Sequence, residues 1–233
     1  MRKTLFIVEG QTEQVFVSKF LEHLVALAQY SLTLVKLHGG ELINVGQRGF
    51  PEDVATHHIR IVDVGNDEKV NSFISENVEE FKRKGFDSVF GLRDRFTGSS
   101  TRKPINPEAV DSFAKNLEKT FDIQVGITIA IEELEAWFLL VPEFFMCYST
   151  ALTNEKISNV LGFDIQDTDV ETITHPAQTI SKILKSVGLD YKKRLDDSYK
   201  IAEAIDYETL YLQKTLINPT LKKFVDQLES ALP

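Results

Sequence analysis

Three apolar runs of strand character end directly in acids. Thr4–Val8 runs into Glu9, Asp87–Leu92 into Arg93 and Asp94, and Val125–Ile131 into Glu132, Glu133 and Glu135. In open α/β sheets ligands gather at the carboxyl ends of the strands. Carboxylates converging there, in a chain with one cysteine and five scattered histidines, are hard oxygen ligands for Mg²⁺ or Mn²⁺. A cation so held polarises a phosphoryl oxygen and activates water for phosphodiester cleavage. An acid after a strand also serves as an ordinary helix-start residue favoured by the helix dipole, so one alone says little. Three at separate strand ends point toward a site.

The turn Glu9-Gly10-Gln11-Thr12-Glu13 adds a second element. Gly10 permits a tight strand-to-helix turn, and the helix start offers backbone amides to an anion. The turn lacks the lysine and spacing of a P-loop and is not G-x-G-x-x-G, which disfavours ATP or dinucleotide binding by those routes. Arg93, Arg95, Arg102 and Lys103 set against Asp94 give a local net of +3. Basic groups there suit phosphate, although Arg-rich loops are often merely solvated. Lys192-Lys193-Arg194 is a similar run, followed at once by Asp196-Asp197. Lys82-Arg83-Lys84 falls at an expected helix C-terminus, where the dipole accounts for it. Trp137, Phe138, Phe144 and Phe145 are either base-stacking or core aromatics, and core is the commoner use. His57 and His58 alternate sides on a strand and cannot share a metal. Cys147 is expected to be a small buried hydrophobe.

The elements that must position these groups follow from hydrophobic pattern. The continuous apolar run Thr4–Val8 suits a strand covered on both faces of a parallel sheet, and Leu32–Leu37, Ile59–Val64, Asp87–Leu92 and Val125–Ile131 also read as strands. Helical stripes lie between them over Thr12–Gln29 (Val15, Phe16, Phe20, Leu24, Leu27), Asp67–Lys84 and Pro107–Phe121. Gly39-Gly40 and the Gly-, Asn- and His-containing stretch after it read as an irregular loop, as does the segment holding Gly98, Ser99, Ser100 and Pro104. Past Val141 no strand-like run remains. Helices are expected over Asn154–Leu161, Ala177–Val187, Ser198–Ala204 and Thr220–Ala231, with breaks at His175-Pro176 and Asn218-Pro219. The expected fold is an open, mostly parallel α/β sheet flanked by helices over residues 1–141, with an α-helical part over 142–233 packed on it.

Composition bounds the function. The chain has 233 residues, is 42% hydrophobic and carries a net charge of −9. That balance supports a sizeable core and argues against disorder or a coiled-coil rod. The overall field does not draw nucleic acid, so such binding needs a local basic patch. One cysteine rules out an internal disulfide framework and a cysteine-based zinc site, and fits a reducing cytoplasm. No apolar run approaches the ~18 residues of a membrane span, and Met1-Arg2-Lys3 is followed too soon by Glu9 for a secretory signal. A soluble, cytoplasmic protein is expected.

Leu5-Phe6-Ile7-Val8-Glu9-Gly10-Gln11-Thr12-Glu13 resembles the opening V-E-G-x-T-E motif of the TOPRIM-like proteins of the DUF4276 family. Gly91-Leu92-Arg93-Asp94 is similar to that family's second acidic motif, and Ile131–Phe138 to its I-E-x-x-E-x-W segment. His175-Pro176 and Tyr191-Lys192-Lys193 resemble its C-terminal landmarks. The resemblance implies a TOPRIM fold, in which a Glu after the first strand and a D-x-D after a later one gather Mg²⁺. Glu9 then matches the Glu and Asp94 the first Asp, whereas the second Asp falls at Phe96, which cannot ligate a metal. Glu132 or Glu135 is left as the third carboxylate. Gly10, Arg93, Arg95 and Lys193 are the candidate phosphate ligands, and Glu13 an outer carboxylate or the base for water. The resemblance implies a metal-dependent nuclease acting on nucleic acid, in phage defence with an ATPase partner, since no nucleotide triphosphate motif lies in this chain. The alternatives are a degenerate module that binds a partner or nucleotide without catalysis, and phosphoryl chemistry on a small molecule.

Overall fold

The computed structural model describes residues 1–24, 29–95 and 105–232. The expected helix tail around Leu27, the loop of Gly98, Ser99, Ser100 and Pro104, and Phe96, Arg102 and Lys103 lie outside the described residues. The N-terminal part alternates as the pattern demands. It runs β1 (Arg2–Val8), α1 (Gln11–Leu24), β2 (Tyr30–His38), β3 (Glu41–Gly49), β4 (His57–Asp63), α2 (Asp67–Arg83), β5 (Ser88–Arg95), α3 (Pro107–Phe121) and β6 (Gln124–Ile131). Short helices follow: α4 (Glu135–Phe138), α5 (Asn154–Leu161), α6 (Pro176–Lys185), α7 (Leu195–Ala204), α8 (Tyr207–Leu212) and α9 (Pro219–Ala231). Among the described residues no helix is long and apolar enough to cross a membrane.

The six strands form one sheet in the order β3-β2-β4-β1-β5-β6. β1 is central and parallel to both β4 and β5, with Val8 opposite Asp63 and Leu92. Strands so placed bury both faces, which is why Thr4–Val8 reads as an unbroken apolar run. The sheet is mostly parallel, and β3 runs antiparallel to β2 at the edge. The stretch after Gly39-Gly40 is therefore a strand and not the expected irregular loop. Gly39 and Gly40, at φ 61° and 86°, make a two-residue turn of positive φ, and β3 is exposed on both faces, so it shows no buried period to read.

The chain gathers into two compact units, one of Met1–Arg93, Ile105–Ile129 and Lys223–Pro233, the other of Asp94–Pro104 and Ala130–Lys222. In the first, Leu5, Ile7 and Val89 pack with Val70, Ile74 and Val78 of α2 and Val110 and Ala114 of α3. Gly91 lets α2 approach closely: a Cβ there would meet Val70 and Ile74 at 3.1 Å. On the opposite face Phe6 lies 5.5 Å from Phe90, and Phe16 of α1 lies 5.8 Å from Phe224 of α9. Gln14, buried on α1, donates to the carbonyls of Val35 (2.9 Å) and Ile61 (3.0 Å). It thus pins the first turns of α1 over β2 and β4.

The second unit is helical and capped locally. Thr153 accepts from Lys156 N, Asp206 from Thr209 N and Asn218 from Leu221 N, satisfying helix-start amides. Its core holds Trp137, Phe138, Phe144 and Phe145, all 2% exposed or less, with the Phe144 and Phe145 rings stacked at 4.1 Å. These aromatics are core, not a base-stacking platform. Cys147, expected to be buried, is exposed, because the 3₁₀ turn over Pro142–Cys147 buries Phe144 and Phe145 and leaves its end outward.

His58 on β4 gives a pH-dependent prediction. Its ring is 1% exposed, neither nitrogen has a hydrogen-bond partner among the described residues, and Glu52 lies 3.9 Å from Nδ1. Burial holds the imidazole below its ordinary value, opposed by Glu52 and reinforced by Arg60 and Lys3. The unfolded chain therefore takes up the proton first. Stability from this residue is intact above the ordinary histidine value of about 6.5 and falls as pH drops through it toward the lower folded value. The melting temperature should fall more in the wild type than in His58→Gln as pH drops from about 7 to about 5. Equal falls in the two proteins would refute this.

Candidate functional site

The β1–β5 pairing sets the carboxyl ends of these strands side by side. Glu9 follows β1, Glu13 lies in the first turn of α1, and Asp94 is near the end of β5. One carboxylate oxygen from each lies within 4.8 Å of the other two. Glu13 and Asp94 are 5% and 1% exposed, and Glu9 is half-buried. Gly10 has a steric reason here, since a Cβ would come within 3.1 Å of Glu13 Oε2. A larger residue at the turn would displace the carboxylate.

Three carboxylates this close repel one another unless a cation or a proton lies among them. Metal–oxygen bonds to Mg²⁺ or Ca²⁺ measure about 2.0–2.6 Å, so donors on opposite sides of an ion stand roughly 4–5 Å apart. The trio falls within that range, and its all-oxygen chemistry fits a hard divalent cation. The third acid of the cluster is Glu13. In sequence it looks like a helix-start acid, and only the turn at Gly10 folds it back toward Glu9.

Asp94 is held by backbone within its own unit: its Oδ1 accepts from Leu134 N at 2.9 Å. The segment carrying Leu134 begins with Glu132, buried at φ 63° with its amide donating to Arg95 O. Glu133 accepts from Ala177 N at 2.9 Å and from Lys193 Nζ at 3.0 Å. Glu135, 0% exposed, accepts from the Tyr191 hydroxyl at 2.8 Å, and its other oxygen lies 3.0 Å from Lys193 Nζ. The I-E-E-L-E, His175-Pro176 and Tyr191–Lys193 segments, distant in sequence, thus meet around two carboxylates.

The electrostatics follow from burial and pairing. Burial pushes the Glu135 carboxyl above its usual range, Lys193 draws it back, and Glu133 adds repulsion. Burial opposes the Lys193 charge, but Glu135, Glu133 and Asp94 outweigh it and hold the ammonium above its ordinary range. The backbone is constrained at the same place. Of the non-glycine residues with positive φ, Glu132 (63°), His175 (54°) and Lys193 (52°) flank Glu133 or its partners. Each such conformation costs about 1–3 kcal/mol and persists only where the surroundings fix it.

The structure therefore brings Glu9, Glu13 and Asp94 together, and separately ties Glu135 to Tyr191 and Lys193. Arg93, 7% exposed, and half-buried Arg95 flank Asp94 on β5. Glu133 and Tyr191 join the Glu135–Lys193 cluster without being candidate ligands on the sequence pattern. The signal for Tyr191 was present in its tripeptide, whereas nothing in sequence distinguishes Glu133 from its acidic neighbours. Exposed His175 opens α6 from a left-handed conformation.

A crystal structure of hypothetical protein PH0156 from Pyrococcus horikoshii OT3 is similar to this chain, with a TM-score of 0.48 and 15% identity over 99% of both chains. No curated protein matches the sequence. The family described as Domain of unknown function (DUF4276) matches residues 8–229, spanning Glu9, Asp94, the Glu132–Glu135 segment and Lys193. The chain belongs to the DUF4276 family.

Proposed function

We propose that this chain is a TOPRIM-like, Mg²⁺- or Mn²⁺-dependent phosphodiesterase acting on nucleic acid. The observation that carries the reading is the carboxylate trio of Glu9, Glu13 and Asp94 at the ends of β1 and β5 and the start of α1. Glu9 and Asp94 would hold the cation, and Glu13 either completes its shell or takes a proton from the attacking water. The ion, when bound, supplies Lewis-acid polarisation of a phosphoryl oxygen and lowers the pKa of its water. The bond from Leu134 N to Asp94 Oδ1 would orient this carboxylate in the cluster. Arg93 and Arg95 supply positive charge next to Asp94, as an acidic protein needs to hold phosphate.

Glu9→Gln and Asp94→Asn should each lower Mg²⁺-dependent cleavage of single- or double-stranded substrates by more than about a hundredfold. Changes outside the direct ligand shell already cost about 10–100-fold in metal sites. Circular dichroism should show both variants folded. Cleavage retained by both would overturn the reading.

A second reading has its own support. Phe96 stands where the resemblance places the second Asp, and Glu135 is already engaged by Tyr191 and Lys193. On this reading the chain binds nucleotide or an ATPase partner in phage defence without catalysis. Metal binding without cleavage of any nucleic acid would favour it.

A further inference from the structure

We infer that Lys193 is the built-in cation of the Glu133–Glu135 pair and limits this protein to one divalent ion per chain. The inference rests on the metal reading above. Its observations belong to the second unit. Lys193 Nζ lies 3.0 Å from Glu133 Oε1 and 3.0 Å from Glu135 Oε2, the approach distance of a direct ion pair. The two carboxylates are themselves fixed, Glu133 by Ala177 N and Glu135 by the Tyr191 hydroxyl. The left-handed backbone at Glu132, His175 and Lys193 persists because these contacts over-determine it. A pair of carboxylates so held, one of them fully buried, is what a second hard cation would use, and the ammonium fills that place. Asp94 also contributes to the field on this ammonium.

Two consequences follow. Divalent ions should occupy only the Glu9–Glu13–Asp94 trio. Removing the ammonium should leave two carboxylates that accept a second ion, with lower affinity because their geometry was set for lysine. Lys193→Arg keeps a positive charge and should keep the wild-type count.

The test is Mn²⁺ titration of the full chain by calorimetry, with bound ions counted by electron paramagnetic resonance, on wild type, Lys193→Met and Lys193→Arg. The expected count is one ion for wild type and Lys193→Arg, and two for Lys193→Met. Two ions in the wild type, or one in a folded Lys193→Met, overturns the inference. Where Lys193→Met is unfolded without metal, folding restored by millimolar Mn²⁺ supports it, and no restoration overturns it. Failure of the metal reading looks different: the wild type then binds no ion, and the inference falls with that reading.

Discussion

Titrating Glu9→Gln with Mn²⁺ should give no heat of binding at concentrations that saturate the wild type. Glu9 is the least buried of the three acids, so its replacement perturbs the fold least. Glutamine keeps the shape and one carbonyl oxygen but removes the charge that a hard divalent cation requires. With three carboxylates within 4.8 Å, losing one also relieves the mutual repulsion that favours an ion. The variant should therefore be as stable as wild type, or more stable, in metal-free buffer, and should lose the upward shift in melting temperature that Mn²⁺ gives the wild type. This pairing of outcomes separates a metal ligand from a structural acid. Binding unchanged in Glu9→Gln would remove Glu9 from the centre. Destabilisation without loss of binding would make it structural.

The second large effect is on stability. Trp137→Ala should cost about 3–5 kcal/mol, the range for deleting a fully buried aromatic. Trp137 is 0% exposed, packs in the aromatic core of the second unit, and donates from Nε1 to Thr220 Oγ1 at 3.1 Å. The cavity dominates the loss and the missing Nε1 hydrogen bond adds to it, while Thr220 Oγ1 keeps its bonds to Glu171 and Asn218. At roughly 2–4 °C per kcal/mol for a chain of this size, the shift in melting temperature is well outside error. Trp137→Phe should lose markedly less, because it retains most of the volume and gives up chiefly the hydrogen bond. Thermal and urea unfolding measure both. A Trp137→Ala protein of wild-type stability would contradict its placement in the core.

The sequence alone determined most of the architecture, because burial on both faces leaves an unambiguous pattern. β1, β5 and β6 each carry an apolar stretch, Leu5–Val8, Val89–Leu92 and Val125–Ile131, and α3 carries its own start signal in Asn106-Pro107, whose Asn106 side chain caps Glu108 N. Glu9 and Asp94 were legible for the same reason: a strand end is visible in sequence, and so is the acid that follows it. β3 was not legible. An edge strand exposed on both faces has no period, and its Gly-Gly turn reads equally well as a loop. The exposure of Cys147 was not legible either, because it depends on how one 3₁₀ turn sits on the core.

Only the tertiary structure decided how the remaining acids divide. In sequence Glu13, Glu132, Glu133 and Glu135 are interchangeable carboxylates near expected turns. The fold turns Glu13 back over Gly10 toward Glu9 and Asp94, and commits Glu133 and Glu135 to Lys193 some sixty residues away. Such partners are chosen by contacts distant along the chain and by backbone conformations, such as those of Glu132 and Lys193, that local propensity disfavours. Propensity and pattern are local quantities, so they place a carboxylate on an element. Which cation it meets depends on where another element ends.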